Sequence, residues 1–466
     1  MIFVKLILLS GGSGKRLWPL SNDTRSKQFL KVLKSHNLQE QSMVQRVWGQ
    51  LEATGLSGDA MVATSKMQRD MIHSQIGEHI PLIIEPERRD TYPAIALAAS
   101  HLYSVQQIDQ NEVIVVLPVD PYVDDQFFEQ VKVLEKMLLS TNADLALMGV
   151  TPTYPSSKYG YMVPKKTSET SNEYIQVQKF TEKPSEEDAE TLIESGALWN
   201  CGVFAFRLGY LLKTLEENNL PLDYQELLET YATLPKISFD YAVVEKTNNI
   251  IAVPYDGYWK DLGTWNTLTE EMATSQIGKG IISEDSVNTH LINELDIPVT
   301  VIGVKNLVIA ASPDGILVSD KETSPKIKDY IGQYDQPPMY EERMWGWTRT
   351  LDYAKYDEQK EMVTKRICIY AGRNSSYHRH MLRDEVWTIV RGEGDLAVDG
   401  RITRVKAGDI VHLPAGKEHG IYALSELEFI EVQTGLEITE EDFVRIHYKW
   451  SDVLSCFNQS DSRVIY

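Results

Sequence analysis

Cysteine is scarce in this chain: Cys201, Cys368 and Cys456 are the only three in 466 residues, and they lie far apart. An odd, scattered set builds no disulfide framework and offers no zinc-ligand spacing, so the thiols read as reduced and structural. Positive charge is also short. Lys and Arg number 46 against 67 Asp and Glu, for a net charge of -21. Counterion-release binding needs a basic face, so neither nucleic acid nor an anionic membrane is an expected partner. A nucleotide needs only a few local cations and stays open. Long apolar runs are missing too. The first, residues 2–9, contains Lys5 and no cleavage region follows it. It is too short to span a bilayer and does not read as a signal peptide. A cytoplasmic enzyme is the expectation.

What the chain does have is an ordinary globular composition, 42% hydrophobic and 24% charged, at a length that suggests two or three domains. Over residues 1–275 apolar strands alternate with helical patterns. Strand candidates are Leu6–Leu9, Val113–Leu117, Leu145–Val150 and Gly202–Arg207; helical ones are Pro93–Val105 and Gln126–Leu139. This alternation predicts an α/β, Rossmann-like domain with a mostly parallel sheet. Ligands in such sheets sit at the carboxyl ends of strands. Residues 276–335 read as a small β appendage to that domain, ending in the linker Asp335-Gln336-Pro337-Pro338. Residues 344–466 read as an all-β barrel of short strands, among them Val386–Val390, Gly394–Val398, Arg401–Val405, Ile410–Leu413 and Leu427–Val432.

The first strand runs into Ser10-Gly11-Gly12-Ser13-Gly14-Lys15-Arg16, and Lys27 follows. Glycines let a backbone turn sharply and bring its N–H groups against phosphate oxygens, while Arg16 and Lys27 supply charge. The spacing fits neither the P-loop nor the dinucleotide fingerprint. Asp120 follows the strand Val113–Leu117, and Asp261 lies in Trp259-Lys260-Asp261-Leu262-Gly263. Two carboxylates from distant segments suit one Mg²⁺ against a triphosphate, although a turn aspartate explains Asp120 equally well alone. Glu182-Lys183-Pro184, Trp199-Asn200-Cys201-Gly202 and Tyr159-Gly160-Tyr161 offer groups suited to sugar hydroxyls and sugar faces.

The order of these segments, with Arg89-Asp90-Thr91-Tyr92-Pro93 between them, resembles the sugar-1-phosphate nucleotidyltransferases, and more closely the mannose-1-phosphate guanylyltransferases of the long bacterial type. The resemblance covers nearly the whole chain. It implies transfer of a nucleotidyl group from GTP to mannose 1-phosphate, with pyrophosphate released. It places Gly11, Gly12, Ser13, Gly14, Lys15 and Arg89 on the nucleotide, with Arg16 and Lys27 on its phosphates. It puts Mg²⁺ on Asp120 and Asp261, the sugar on Gly160, Glu182 and Asn200, and the sugar phosphate on Lys183. The chain departs from the family pattern at Lys15, Asp90, Pro121 and Lys260, where relatives commonly carry Thr, Asn, His and Asn.

The barrel segment carries His378, His380 and Glu385, then His419 after Gly408 and Pro414. His378 and His380 alternate by two, which puts both on one strand face. Three His and one Glu suit a divalent transition metal such as Zn²⁺, Mn²⁺, Fe²⁺ or Ni²⁺. The pattern resembles the cupin motifs, with Ala423 where Asn often closes the second. In guanylyltransferase relatives this cupin is a mannose-6-phosphate isomerase module. Val386, where isomerase members carry His, and Lys449-Trp450, where they carry Gly-Arg, weaken that implication. Two alternatives stay open: a cupin isomerase behind a front domain that only binds nucleotide, and a nucleotidyltransferase for a different base or sugar whose cupin has no chemistry and is structural or joins two chains in a homodimer.

Overall fold

The computed structural model describes residues 5–12, 15–34, 39–165, 173–332, 338–356, 360–436, 438–439 and 442–461. Ser13 and Gly14 of the glycine loop, and residues 335–337 of the linker, lie outside that set. The chain forms two compact units. One gathers residues up to Leu17, Ser26–Ser275 and Lys321–Lys326; the other gathers Trp18–Arg25, Gln276–Asp320 and the chain from Ile327 onward.

The first unit is built on a nine-stranded sheet. Its strands in chain order are β1 (Lys5–Ser10), β2 (Ala60–Ser65), β3 (Leu82–Glu85), β4 (Val113–Pro118), β5 (Leu145–Val150), β6 (Gly160–Pro164), β7 (Ile175–Glu182), β8 (Leu198–Arg207) and β9 (Ile250–Tyr255). Their order across the sheet is β3-β2-β1-β4-β8-β5-β9-β7-β6. Strands β1 to β5 are short apolar runs buried on both faces, as strands covered by helices must be. Helix α1 (Thr91–Ser100) shows the same logic: its sequence TYPAIALAAS is apolar all round and nearly all buried. Pro93 falls in its first turn, where no intrahelical N–H is lost. Helix α2 (Gln126–Ser140) is amphipathic instead, burying Phe127, Phe128, Val131, Leu134 and Leu138.

The parallel sheet expected from the sequence covers β3, β2, β1 and β4, and the pair β5–β9. The rest is antiparallel. Strand β8 runs against both β4 and β5, and β7 runs against β6 and β9. The sheet is therefore mixed. Apolar runs buried on both faces look alike whichever way they point, so the sequence carried no sign of the reversal.

In the second unit, β10 (Gln276–Gly278), β11 (His290–Asn293) and β12 (Leu307–Ser312) pair parallel, and β13 (Gly315–Asp320) closes the sheet antiparallel. Gly278 is required where β10 meets β11: a Cβ there would lie 1.8 Å from the Asn293 carbonyl oxygen, at a φ of +83°. The sequence reading attached this β-rich stretch to the first domain; its contacts put it in the second unit. Arg25 reaches it from the start of the chain, with a bidentate pair to Glu294 at 2.8 and 2.9 Å. The barrel follows as a six-stranded and a five-stranded antiparallel sheet around Ile369, Trp387, Ile389, Leu396, Ile421 and Phe429. No helix among the described residues is long and apolar enough to cross a membrane.

Candidate functional site

The glycine loop leaves β1 at the carboxyl end of the parallel strands. Side chains from three segments pin it. Ser26 Oγ and Gln68 Nε2 both donate to the Gly12 carbonyl, at 2.5 and 3.2 Å. Thr64 Oγ1 donates to the Ser10 carbonyl at 3.0 Å. Lys15 and Arg16 begin a single 3-10 turn and are exposed. Arg89 is committed elsewhere: it pairs with Glu87 at 2.8 Å and donates to the Leu234 carbonyl. The structure therefore brings Arg16, but not the Arg89 guanidinium, to the charged centre described next.

That centre is Lys27. Its ammonium lies 2.9 Å from Asp120 Oδ2 and 3.0 Å from Asp261 Oδ1. Asp120 follows β4, and Asp261 ends the strand Trp259–Asp261, which pairs with Pro121–Val123. This two-stranded ribbon is what carries the distant carboxylate to the loop. Burial disfavours the charges, yet the two carboxylates push Lys27 above its ordinary value. In turn burial is outweighed at Asp261 by Lys27, Arg16 and Lys158, which hold its carboxyl below the usual range. One cation thus already sits between two carboxylates, and the donor set suits a divalent cation with phosphate oxygens. Lys260 beside Asp261 is tied down by Glu270 at 2.5 Å and Glu271 at 2.6 Å. The departure from the family pattern there is neutralised locally.

A cavity opens beside this cluster. Asp120, Asp261, Gly160, Glu182, Asn200 and Asp240 all line it, together with Lys158, Tyr159 and Trp259. Glu182 ends β7 opposite Gly160 on β6. A Cβ on Gly160 would come within 2.6 Å of Glu182 Oε2, so glycine is what lets that carboxylate lie flat on the strand. Lys183 bonds Glu182 Oε1 at 2.6 Å. Tyr159 packs on Trp199 and Trp259 with ring centroids 4.8 and 5.4 Å apart, giving an aromatic wall. Asn200 is spent locally: its Oδ1 accepts from Gly202 N at 3.0 Å and its Nδ2 donates to Asp240 at 2.8 Å. Burial, then the charge of Glu182, pushes the Asp240 carboxyl up to about 7.

Sequence reasoning missed Lys158 and Asp240. Asp240 follows Ser238, the N-cap of the short helix Phe239–Ala242, where an acidic residue reads as an ordinary helix start. Nothing local marks it as a cavity residue.

In the second unit His378, His380, Glu385 and His419 converge inside the barrel, all at least nine-tenths buried. Each imidazole holds a backbone carbonyl with Nδ1: His378 to Ser376 at 2.7 Å, His380 to Asp442 at 3.0 Å, His419 to Lys417 at 3.0 Å. That fixes the tautomer and turns every Nε2 lone pair inward, the arrangement metal-ligating histidines adopt. The Nε2 atoms of His380 and His419 lie 3.3 Å from the two oxygens of Glu385. His419 Nε2 is buried with no hydrogen bond of its own. Burial keeps His378 and His380 neutral at ordinary pH, with His380 pushed down to about 4. Neutral imidazole is the ligand form. The residues therefore fit a metal ion. Arg383, which sequence reasoning did not single out, donates to His380 Nε2 at 3.1 Å from inside the barrel. Val386 lies on the outer face, exposed, because side chains alternate along Arg383–Arg391.

A family model described as nucleotidyl transferase matches residues 5–276, and one described as a cupin domain matches residues 365–433. The mannose-1-phosphate guanylyltransferase of Salmonella montevideo is 28% identical, over 95% of this chain and 98% of its own length. The alginate biosynthesis protein AlgA of Pseudomonas fluorescens is 29% identical, over 94% of this chain and 95% of its own. A crystal structure described as a mannose-1-phosphate geranyltransferase from Thermus thermophilus is 27% identical. It aligns with a TM-score of 0.59, over 71% of this chain and 98% of its own.

Proposed function

The chain belongs to the nucleotidyl transferase family and carries a cupin domain behind it, and from that premise we propose that it makes GDP-mannose from GTP and mannose 1-phosphate, releasing pyrophosphate. The observation that carries the reading is Lys27 set between Asp120 and Asp261 at the rim of a cavity that also holds Glu182 and Asn200.

The glycine loop, with Lys15 and Arg16, takes the triphosphate against backbone N–H groups. Lys27 balances charge on its phosphate oxygens. Lys183 holds the sugar phosphate, and Glu182 and Asn200 orient the ring over Gly160. An oxygen of the sugar phosphate then forms a bond to the α-phosphorus while the bond to the β-phosphate bridge breaks. That nucleophile is already an anion, so the site needs no strong base. Rate comes from in-line positioning and from neutralised charge. Asp120 and Asp261 would hold a divalent cation such as Mg²⁺, which supplies Lewis-acid neutralisation of the triphosphate.

The test is pyrophosphate release measured across five nucleoside triphosphates and several sugar 1-phosphates. GTP with mannose 1-phosphate is expected to be fastest. Asp120→Asn and Asp261→Asn are each expected to lower kcat by about 10²- to 10³-fold. A strong preference for CTP, UTP or dTTP overturns the guanylyl assignment.

For the cupin, the inward Nε2 set supports binding of a divalent transition metal, with Zn²⁺, Mn²⁺, Fe²⁺ and Ni²⁺ all compatible with three His and one Glu. Mannose-6-phosphate isomerase is the second activity this set admits. Val386 does not count against it, since its side chain faces outward and never enters the barrel.

A further inference from the structure

We infer that Asp240 is a hydroxyl-binding residue of the sugar half of the cavity, selecting hexose 1-phosphates by the stereochemistry of neighbouring hydroxyls. The inference rests on the nucleotidyl-transfer reading and names a substrate contact that reading leaves out. Asp240 lines the cavity together with Glu182, Asn200 and Gly160. Its position is not that of an ordinary acidic residue at a helix start, which would turn to water. Instead it is aimed. Asn200 donates to one Asp240 oxygen at 2.8 Å, and that amide is itself fixed by the backbone N–H of Gly202 at 3.0 Å.

Glu182 stands beside it as a second carboxylate, its Oε1 taken by Lys183 at 2.6 Å. Its backbone N–H donates to Glu245 at 3.0 Å, which holds the end of β7 in place. Two carboxylates on one cavity wall repel unless hydrogen-bond donors reach them. Asn200 and Lys183 each satisfy one oxygen. A ligand that brings O–H donors to the others fits this wall, and a bare anion does not. Adjacent ring hydroxyls are such donors, and only some stereoisomers point both toward a pair of fixed acceptors. Lys183, bonded to the same Glu182, lies where a phosphate on that ring would be met.

Asp240→Asn and Asp240→Ala separate contact from mere positioning. The amide oxygen of Asn can still accept from Asn200, so Asp240→Asn keeps the positioning bond and removes the carboxylate. Calorimetric titration with mannose 1-phosphate and steady-state KM values are the readouts. Asp240→Asn is expected to weaken mannose 1-phosphate by about 10- to 100-fold while leaving the KM for GTP unchanged. Against a panel of monodeoxy hexose 1-phosphates, the variant should lose the discrimination that the wild type shows at one or two ring positions. An Asp240→Asn protein that binds like the wild type, with only Asp240→Ala impaired, overturns the contact and leaves a positioning residue. A wild type that binds GTP but no hexose 1-phosphate overturns this inference and the nucleotidyl-transfer reading together.

Discussion

Glu85 ends β3 beneath the glycine loop, where an ideal Cβ on Gly11 would lie 3.4 Å from its Oε1. Tyr231 donates to its other oxygen at 2.7 Å. Burial pushes this carboxyl up from 4.5 to about 7, against the pull of Tyr231 and Arg88. The folded state thus holds the proton more tightly than the unfolded chain. The resulting stabilisation is full below about pH 4.5 and is lost as pH rises through about 7. Glu85→Gln mimics the protonated acid. It is expected to be more stable than the wild type by about 1–3 kcal/mol at pH 8 and equal to it near pH 4, by urea unfolding at both pH values. The same scale shows what a sequence conceals. Asp120, Glu182 and Asp261 were legible because each sits in a motif with a fixed neighbour. Glu85 and Asp240 were not: their surroundings come from Tyr231, Gly11 and Asn200, residues brought to them only by folding.

At the scale of elements, strand positions were read well and strand directions were not. Leu145–Val150 and Ile410–Leu413 match the structure to the residue, because apolar runs bounded by turn residues mark strands wherever they lie. The reversal of β8 had no such mark, and neither did the transfer of β10 to β13 to the second unit. The barrel's histidine cluster was legible for a different reason. His378 and His380 sit two residues apart, and Glu385 and His419, which join them from separate strands, were legible only through the resemblance to the cupin motifs. The orienting carbonyls of Ser376, Lys417 and Asp442 carry no side-chain signature and could not be read. His419→Ala removes a proposed ligand whose Nε2 makes no hydrogen bond. It is expected to abolish stoichiometric metal in the purified full chain, by elemental analysis. Chelation of the wild type is expected to lower the Tm, because an ion that binds only the folded state stabilises it by mass action. The full chain with Mn²⁺ or Zn²⁺ is then the protein in which to assay interconversion of mannose 6-phosphate and fructose 6-phosphate.

At the scale of the whole molecule, net charge is -21, and the transferase site keeps its few cations close to its own acids. The Lys27 bridge makes nucleotide binding an ion exchange. At rest, one ammonium and two carboxylates leave the cluster one charge short of neutral. A divalent ion arriving alone must evict Lys27 into empty solvent, whereas one arriving on a triphosphate gives Lys27 a new anion to hold. Metal and nucleotide should therefore promote each other's binding by equal factors, as linkage requires. Manganese titrations followed by electron paramagnetic resonance would read this without any turnover. In the wild type, Mn²⁺ is expected to bind weakly alone and much more tightly with GTP. Lys27→Met is expected to bind Mn²⁺ alone about tenfold more tightly than the wild type while losing most of that cooperativity. Equal Mn²⁺ affinity in the two proteins would show that the ammonium does not compete for the seat. A lysine that looks like a phosphate hook is then also the site's own counterion, and it ties the metal's binding to the nucleotide's.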